Sequence, residues 1–269
     1  MVSMNTKPDP VAHDVRPALN RACDEMLHRL HALLKPEHKV AKEVHALRKL
    51  GKSVRGGMVL LEVAPETIRA VTAVGRLLGG ARDAVSRRTT WERLALEAGP
   101  MAGDPTVIAV GALLRNHAKS ATHRPPEEVV SWAEARLREA KATLKKIPEG
   151  EVVERLENGR KHLAKRLKKK LKRLEHGDPG AEELHGARKA LKAWLGALAH
   201  LGETPPPAMI ALADLLGDIN DLHTLGDWLH SHGFSPELAV EPWRALLEKL
   251  HLLEKSALAE APGVRVLLG

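Results

Sequence analysis

The chain has one cysteine in 269 residues, no tyrosine and one phenylalanine, and its five tryptophans are nearly all of its aromatic content. A lone cysteine excludes an intrachain disulfide and fits a reducing compartment. Cys23 falls in an apolar helical pattern with Met26 and Leu30, the setting of a core thiol rather than a nucleophile. Proteins that read single-stranded nucleic acid stack bases on aromatic rings, and this chain has few rings to offer. No run is apolar and long enough to span a bilayer. The first 17 residues are polar, without the apolar centre of a secretory signal. A soluble, cytoplasmic protein is expected. There is no His-Glu-x-x-His pair and no Gly-x-x-x-x-Gly-Lys-Ser/Thr phosphate loop, and the fifteen histidines are scattered. No metal, no cofactor and no catalytic residue are therefore expected.

What is abundant is positive charge. Lys and Arg number 42 against 34 Asp and Glu, a net charge of +8. That balance points to a polyanionic partner: nucleic acid, anionic lipid or a phosphate polymer. Hydrophobic residues at 43% can supply a substantial core.

The charge is organised. In the stretch from Glu43 to Arg55, helical geometry places His45, Arg48, Lys49, Lys52 and Arg55 within an arc of about 120°. Val44, Leu47, Leu50, Val54, Met58 and Leu61 fall on the opposite side. A single cationic face of this kind is usually just solvated. A second copy argues otherwise: Glu183 to Lys192 matches Glu43 to Lys52 without a gap, with Glu, His, Arg and both Lys positions identical. The set His185, Arg188, Lys189 and Lys192 thus repeats His45, Arg48, Lys49 and Lys52. A Leu-Leu-Gly motif follows each copy, ending in Arg82-Asp83 and Asn220-Asp221, at 38 residues from His45 and 36 from His185. Two motifs in the same order at the same spacing indicate an internal duplication. The copies differ at one position: Arg55 in the first is matched by Leu195 in the second.

The pattern His-x-x-Arg-Lys-x-x-Lys-x-x-Arg, followed by Leu-Gly-x-x-Arg-Asp, resembles the CHAD domain (conserved histidine α-helical domain). The second copy, with its later Leu-Gly-Asp-x-Asn-Asp-Leu, resembles that family's second half. The resemblance covers residues 18 to 260. It implies two pseudo-symmetric helical bundles around a central basic cavity, and binding of inorganic polyphosphate, with polyphosphate granules as a possible location. The acidic strand motif of the triphosphate tunnel enzymes, with which the family is often fused, is not present in the sequence. A hydrolase or kinase would need such machinery, which favours a non-catalytic binder.

Taken in order, the chain reads as all-α, with ten to twelve helices and mostly short antiparallel turns. A flexible tail is expected at 1–17, a first half at 18–148, a second half at 149–261 and a tail at 262–269. Asp104-Pro105 is a strong helix start, an N-cap followed by proline. Residues 66–78 and 81–98 read as two helices parted by Gly79-Gly80. Residues 207–216 and 218–230 likewise read as two. A helix from 151 to 175 carries nine Lys or Arg among the fourteen residues from Arg160 to Arg173. Its leucine stripe marks it as folded rather than a disordered arm, and Lys161, Lys165, Lys168 and Lys172 share one face.

Candidate polyphosphate ligands are then His45, Arg48, Lys49, Lys52, Arg55, Arg82, Lys161, Lys165, Lys168, Lys172, His185, Arg188, Lys189 and Lys192. Arginine offers a bidentate fork to phosphate and lysine a point charge. Asp83 and Asp221 follow glycine near expected helix starts, so capping and orientation of basic side chains are both open. Two other functions share the same surface: non-specific nucleic-acid binding, and a phosphatase acting on phosphate esters or polyphosphate. Oligomeric state is not legible in the sequence.

Overall fold

A computed structural model describes residues 14–97, 103–121, 123–175 and 179–269. Among these it is all-α, without strands. The helices are α1 (Val15–Ala32), α2 (Val40–Leu60), α3 (Pro65–Leu77), α4 (Gly79–Glu97) and α5 (Pro105–Ser120). They continue as α6 (Glu127–Lys145), α7 (Val152–Leu174), α8 (Ala181–His200), α9 (Pro207–Ser231) and α10 (Val240–Val266), with a 3₁₀ turn at Glu149–Glu151 before α7. Among the described residues, no helix is long and apolar enough to cross a membrane.

Several helix ends follow directly from local chemistry. The Asp104 carboxylate accepts from the backbone N–H groups of Thr106 at 2.7 Å and Val107 at 3.1 Å, with Pro105 in the first turn. Asp14 caps α1 by accepting from the Arg16 N–H at 2.9 Å, so the helix already includes residues 15–17 of the expected tail. Residues 1–13, the Gly99-Pro100 break and positions 176–178 of the expected turn lie outside the described residues.

Two expectations are corrected. Residues 207–231 form one helix, without a break at Gly217. A mid-helix glycine costs about 1 kcal/mol relative to alanine. Here Leu216 and Ile219, each 1% exposed, hold the chain against the core on both sides of it. At the C-terminus, α10 runs through Pro262 to Val266 rather than ending at Ala261. Ala261 and Val264 are fully buried, and Arg265 pairs with Glu175 of the α7 C-cap at 2.5 Å.

The hydrophobic side chains form two cores. The larger takes its residues from α1, α2, α3, α6, α7 and α8, with the first part of α9 and the last part of α10. The smaller joins Trp91 and Leu94 of α4, Val110 and Leu114 of α5, Leu225 and Trp228 of α9 and Leu246 of α10. Each core therefore draws on both sides of the 148/149 junction. The sequence halves are not separate packing units, and α9 belongs to both cores.

The most extensive helix contact is between α2 and α8, the two helices that carry the motif copies. Glycine makes this crossing possible. A Cβ on Gly56 would sit 2.5 Å from the Ala193 carbonyl oxygen, and one on Gly196 would sit 3.1 Å from the Ser53 Cα. Both contacts are with backbone, which cannot swing aside as a side-chain tip can. The close crossing fixes the two motif helices side by side, with α4 and α9 packed across them.

Candidate anion-binding cavity

A cavity of about 670 Å³ opens beside the α2–α8 crossing. From α2 it is lined by His45, Arg48, Lys49, Lys52 and Ser53, and from α8 by His185, Arg188 and Lys192. α4 adds Arg82, Asp83, Ser86 and Arg87, and α9 adds Asn220, Asp221 and Thr224. Helical spacing accounts for the convergence: positions three and four apart share a face, so His45, Arg48 and Lys52 point together, as do His185, Arg188 and Lys192. Seven Lys or Arg side chains meet two carboxylates in this lining.

Both carboxylates are engaged. Asp83 pairs with Arg48 Nη1 at 3.0 Å, and the same nitrogen donates to the Gly79 carbonyl at 3.2 Å. Asp221 accepts from Ser86 Oγ at 3.1 Å, which ties α9 to α4. Asp83 lies inside α4 and Asp221 in the middle of α9, so neither caps a helix. Asp83 orients a motif arginine. Asp221 flanks Arg188, where it opposes the effect of burial on the guanidinium.

The cations have fewer partners. Arg188 Nε and Arg87 Nε are buried and lack a hydrogen-bond partner among the described residues. Burial is the main influence disfavouring the charged form of both, although arginine stays protonated. Lys52 is pushed down to about 8, first by burial and then by Arg188, Arg48, Lys192 and Arg55. Unsatisfied buried donors and a destabilised ammonium in one cavity are what a bound anion would relieve.

The two histidines are held differently. His45 Nδ1 accepts from Arg82 Nε at 2.9 Å, so the neutral ring carries its proton on Nε2. His185 Nδ1 lies 2.8 Å from Asn220 Oδ1, and the Asn220 amide nitrogen points to Asp221 Oδ1 at 3.4 Å. That arrangement puts the His185 proton on Nδ1 and leaves Nε2 as an acceptor. Both rings are held below the usual histidine range. For His45 the causes are burial, then Arg82, Lys52, Lys49 and Arg48. For His185 burial dominates, the Asn220 hydrogen bond opposes it, and Lys189 and Arg188 reinforce it.

Three neighbouring recesses share lining with this cavity: one, of about 320 Å³, shares His185, Asn220 and Thr224 and carries Glu182 and Asp227, and the other two are basic. One, of about 260 Å³, contains Arg55, Arg76 and Lys189 and shares Arg48, Lys52 and Asp83. Arg55 there donates to the Gly51 carbonyl at 3.2 Å and to Thr72 Oγ1 at 3.3 Å. The other, of about 400 Å³, contains Lys42 and Arg93 and shares His45, Arg82, Ser86 and Asp221. Of the fourteen candidates named from the sequence, His45, Arg48, Lys49, Lys52, Arg82, His185, Arg188 and Lys192 line the main cavity. Arg55 and Lys189 line the recess beside it.

Lys161, Lys165, Lys168 and Lys172 of α7 are not brought into the cavity. The leucine stripe of α7 packs on α8, α10 and α2, which turns the lysine face outward, with Lys161, Lys165 and Lys172 exposed. Arg87 was missed, as were Ser53, Ser86 and Thr224. The signal for Arg87 was available: it lies four residues after Asp83 and therefore on the same helix face.

A family model described as CHAD domain matches residues 56–230, well over half of the chain. The chain belongs to the CHAD domain family. The matched span begins just after the first motif copy and includes the second. Among solved structures, the CHAD domain of the plant Ricinus communis aligns with a TM-score of 0.61 at 19% identity, over 92% of this chain and 90% of that one. PptA from Streptomyces chartreusis aligns with a TM-score of 0.64 at 15% identity, over 94% and 95%. At these identities the two likenesses establish the shared fold. No curated protein matches the chain. The family is known for polyphosphate binding in general.

Proposed function

We propose that this protein binds inorganic polyphosphate in the cavity between α2, α4, α8 and α9, and does not transform it. The observation that carries this reading is the imbalance in the lining, seven cations against two carboxylates that already have partners. Phosphate oxygens would satisfy the orphaned Nε groups of Arg87 and Arg188 and neutralise the charge crowding around Lys52. Two of the three adjoining recesses carry further cations and share Arg48 or His45 with the cavity, which suits a linear anion more than a compact one. The engagement of Asp83 and Asp221 leaves no carboxylate in the lining placed as a general base, which favours binding over hydrolysis.

The test is titration with tripolyphosphate and with a long-chain polyphosphate at several salt concentrations, alongside an assay for released phosphate. Affinity is expected to fall steeply with salt through counterion release, and phosphate release is expected to stay at the blank. Steady phosphate release by the purified protein would replace this reading with the phosphatase.

One observation favours a second reading, non-specific nucleic-acid binding. The outward lysine face of α7 is a cationic surface separate from the cavity. It offers a duplex a surface that needs no recess. Competition at matched phosphate concentration and salt separates the two: polyphosphate should displace itself from the cavity far better than duplex DNA does.

A further inference from the structure

Lys52 stands apart from the other cavity cations. It lines both the main cavity and the Arg55 recess, at the point where they join. Among the described residues its ammonium has no hydrogen bond or carboxylate partner, and the charged groups acting on it are Arg48 and Arg55 from its own helix and Arg188 and Lys192 from α8. Asp83 also lines both spaces, but its carboxylate is taken by Arg48. The result is an amine surrounded by cations inside a cavity suited to phosphoryl groups.

We propose that Lys52 is a modification site, acylated by small acyl phosphates that the cavity draws in through their phosphate group. The step needs no other reagent. The Lys52 Nζ lone pair attacks the acyl carbonyl carbon and forms a C–N bond, and the bond from that carbon to the bridging oxygen breaks. Inorganic phosphate leaves with the electron pair, and the amine proton goes to solvent. The surrounding guanidinium groups favour this twice, by holding the phosphate and by stabilising it as it departs. The product is a neutral amide at the centre of the cation cluster, so acylation weakens the hold on polyphosphate.

The depressed ammonium supports the chemistry. With a pKa of about 8, about a fifth of Lys52 is free amine near pH 7.4, against about one part in a thousand for an ordinary lysine. Lower basicity reduces intrinsic nucleophilicity, and the bound phosphate group favours the ammonium again, so each takes back part of that advantage.

The proposal rests on the cavity accepting phosphate, so its test separates the two claims. The full chain is incubated with acetyl phosphate near neutral pH, and acetylation at Lys52 and at exposed Lys165 of α7 is followed by peptide mass spectrometry. Lys52 is expected to react at least roughly tenfold faster than Lys165, because the cavity holds the phosphate group of the reagent beside it. Excess tripolyphosphate should protect Lys52 and leave Lys165 unaffected. N-acetoxysuccinimide, which carries no phosphate, should show a smaller preference. Lys52→Gln, an acetyl-lysine mimic, should bind tripolyphosphate more weakly. The acetylated wild-type protein gives the same readout if Lys52→Gln fails to fold. Tripolyphosphate binding by calorimetry with equal acetylation of Lys52 and Lys165 would overturn the modification site and leave the cavity reading standing. Absence of tripolyphosphate binding would overturn the cavity reading itself.

Discussion

Arg48 and Arg188 occupy the same position in two motif copies and face one cavity, yet they are held in different ways. Arg48 is anchored: it pairs with Asp83 and donates to the Gly79 carbonyl at the break between α3 and α4. Gly79 suits that arrangement, because a Cβ there would lie 2.6 Å from Arg48 Nη1. Across the cavity the corresponding region of α9 runs straight through Gly217. There the carboxylate matching Asp83, Asp221, is bonded by Ser86, and Arg188 keeps a buried Nε without a partner. Identical residue types at identical spacing therefore do not fix identical roles. The first copy commits much of its arginine to architecture, while the second leaves its arginine Nε buried and unpartnered among the described residues.

The largest effect should come from removing the available arginine. Arg188→Ala is expected to weaken tripolyphosphate binding roughly ten- to a hundredfold, the scale of a lost charged hydrogen bond. Its melting temperature should hold or rise, because a buried, poorly partnered cation is gone. Arg48→Ala should divide its effect differently. Affinity falls less than tenfold, and loss of the Asp83 pair and the Gly79 bond costs about 0.5–1.5 kcal/mol of stability. That corresponds to a drop of a few degrees, about 2–4 °C per kcal/mol for a chain approaching this size. Calorimetry and thermal melts on both variants decide the matter; equal losses in both would erase the distinction between the copies.

The histidines sharpen the same comparison at a smaller scale. Both titrate below the usual range in the free protein. The unfolded chain, with histidine near pKa 6.5, then binds more protons, so this contribution to stability is present above about pH 6.5 and is lost as pH falls. A bound polyanion raises both values, so binding takes up protons and tightens as pH falls through that range. Neutral His45 can donate from Nε2, but His185 must be protonated before its Nε2 can donate. His185→Gln should therefore remove more of the pH dependence of affinity than His45→Gln. Calorimetry in two buffers of different ionisation enthalpy counts the protons, and an unchanged count in both variants would place the titrating groups elsewhere.

The smallest effect should be outside the cavity. Changing Lys161, Lys165, Lys168 and Lys172 together to Gln should leave tripolyphosphate affinity within about twofold at physiological salt, where exposed charges are screened over about 8 Å. A large loss would bring α7 back into the binding site.

Much of this was legible in the sequence. The 3.6-residue pattern gave the all-α class, and the two motif copies pointed to eight residues that line the cavity. Three things were not legible, each for a physical reason. A leucine stripe shows that one face of α7 is buried, but not whether the opposite face meets solvent or a second layer. α2 has the same kind of stripe, yet its cationic face is covered by α4 and α8. Glycine reads as a stop at both Gly79 and Gly217, and only tertiary packing decides: Arg48 occupies the first site, whereas buried neighbours carry the helix through the second. Partners of like residues are set by contacts distant in sequence, so the engagement of Asp221 by Ser86, 135 residues away, could not be seen from the motif.

The central claim is that partnerless cations in this cavity hold polyphosphate. Titration of tripolyphosphate into the wild-type protein and into Arg188→Gln, at low and physiological salt, tests it most directly. The account predicts saturable binding that weakens with salt in the wild type and is at least roughly tenfold weaker in the variant, with the fold unchanged by circular dichroism. Binding that is equally tight in both proteins would contradict it.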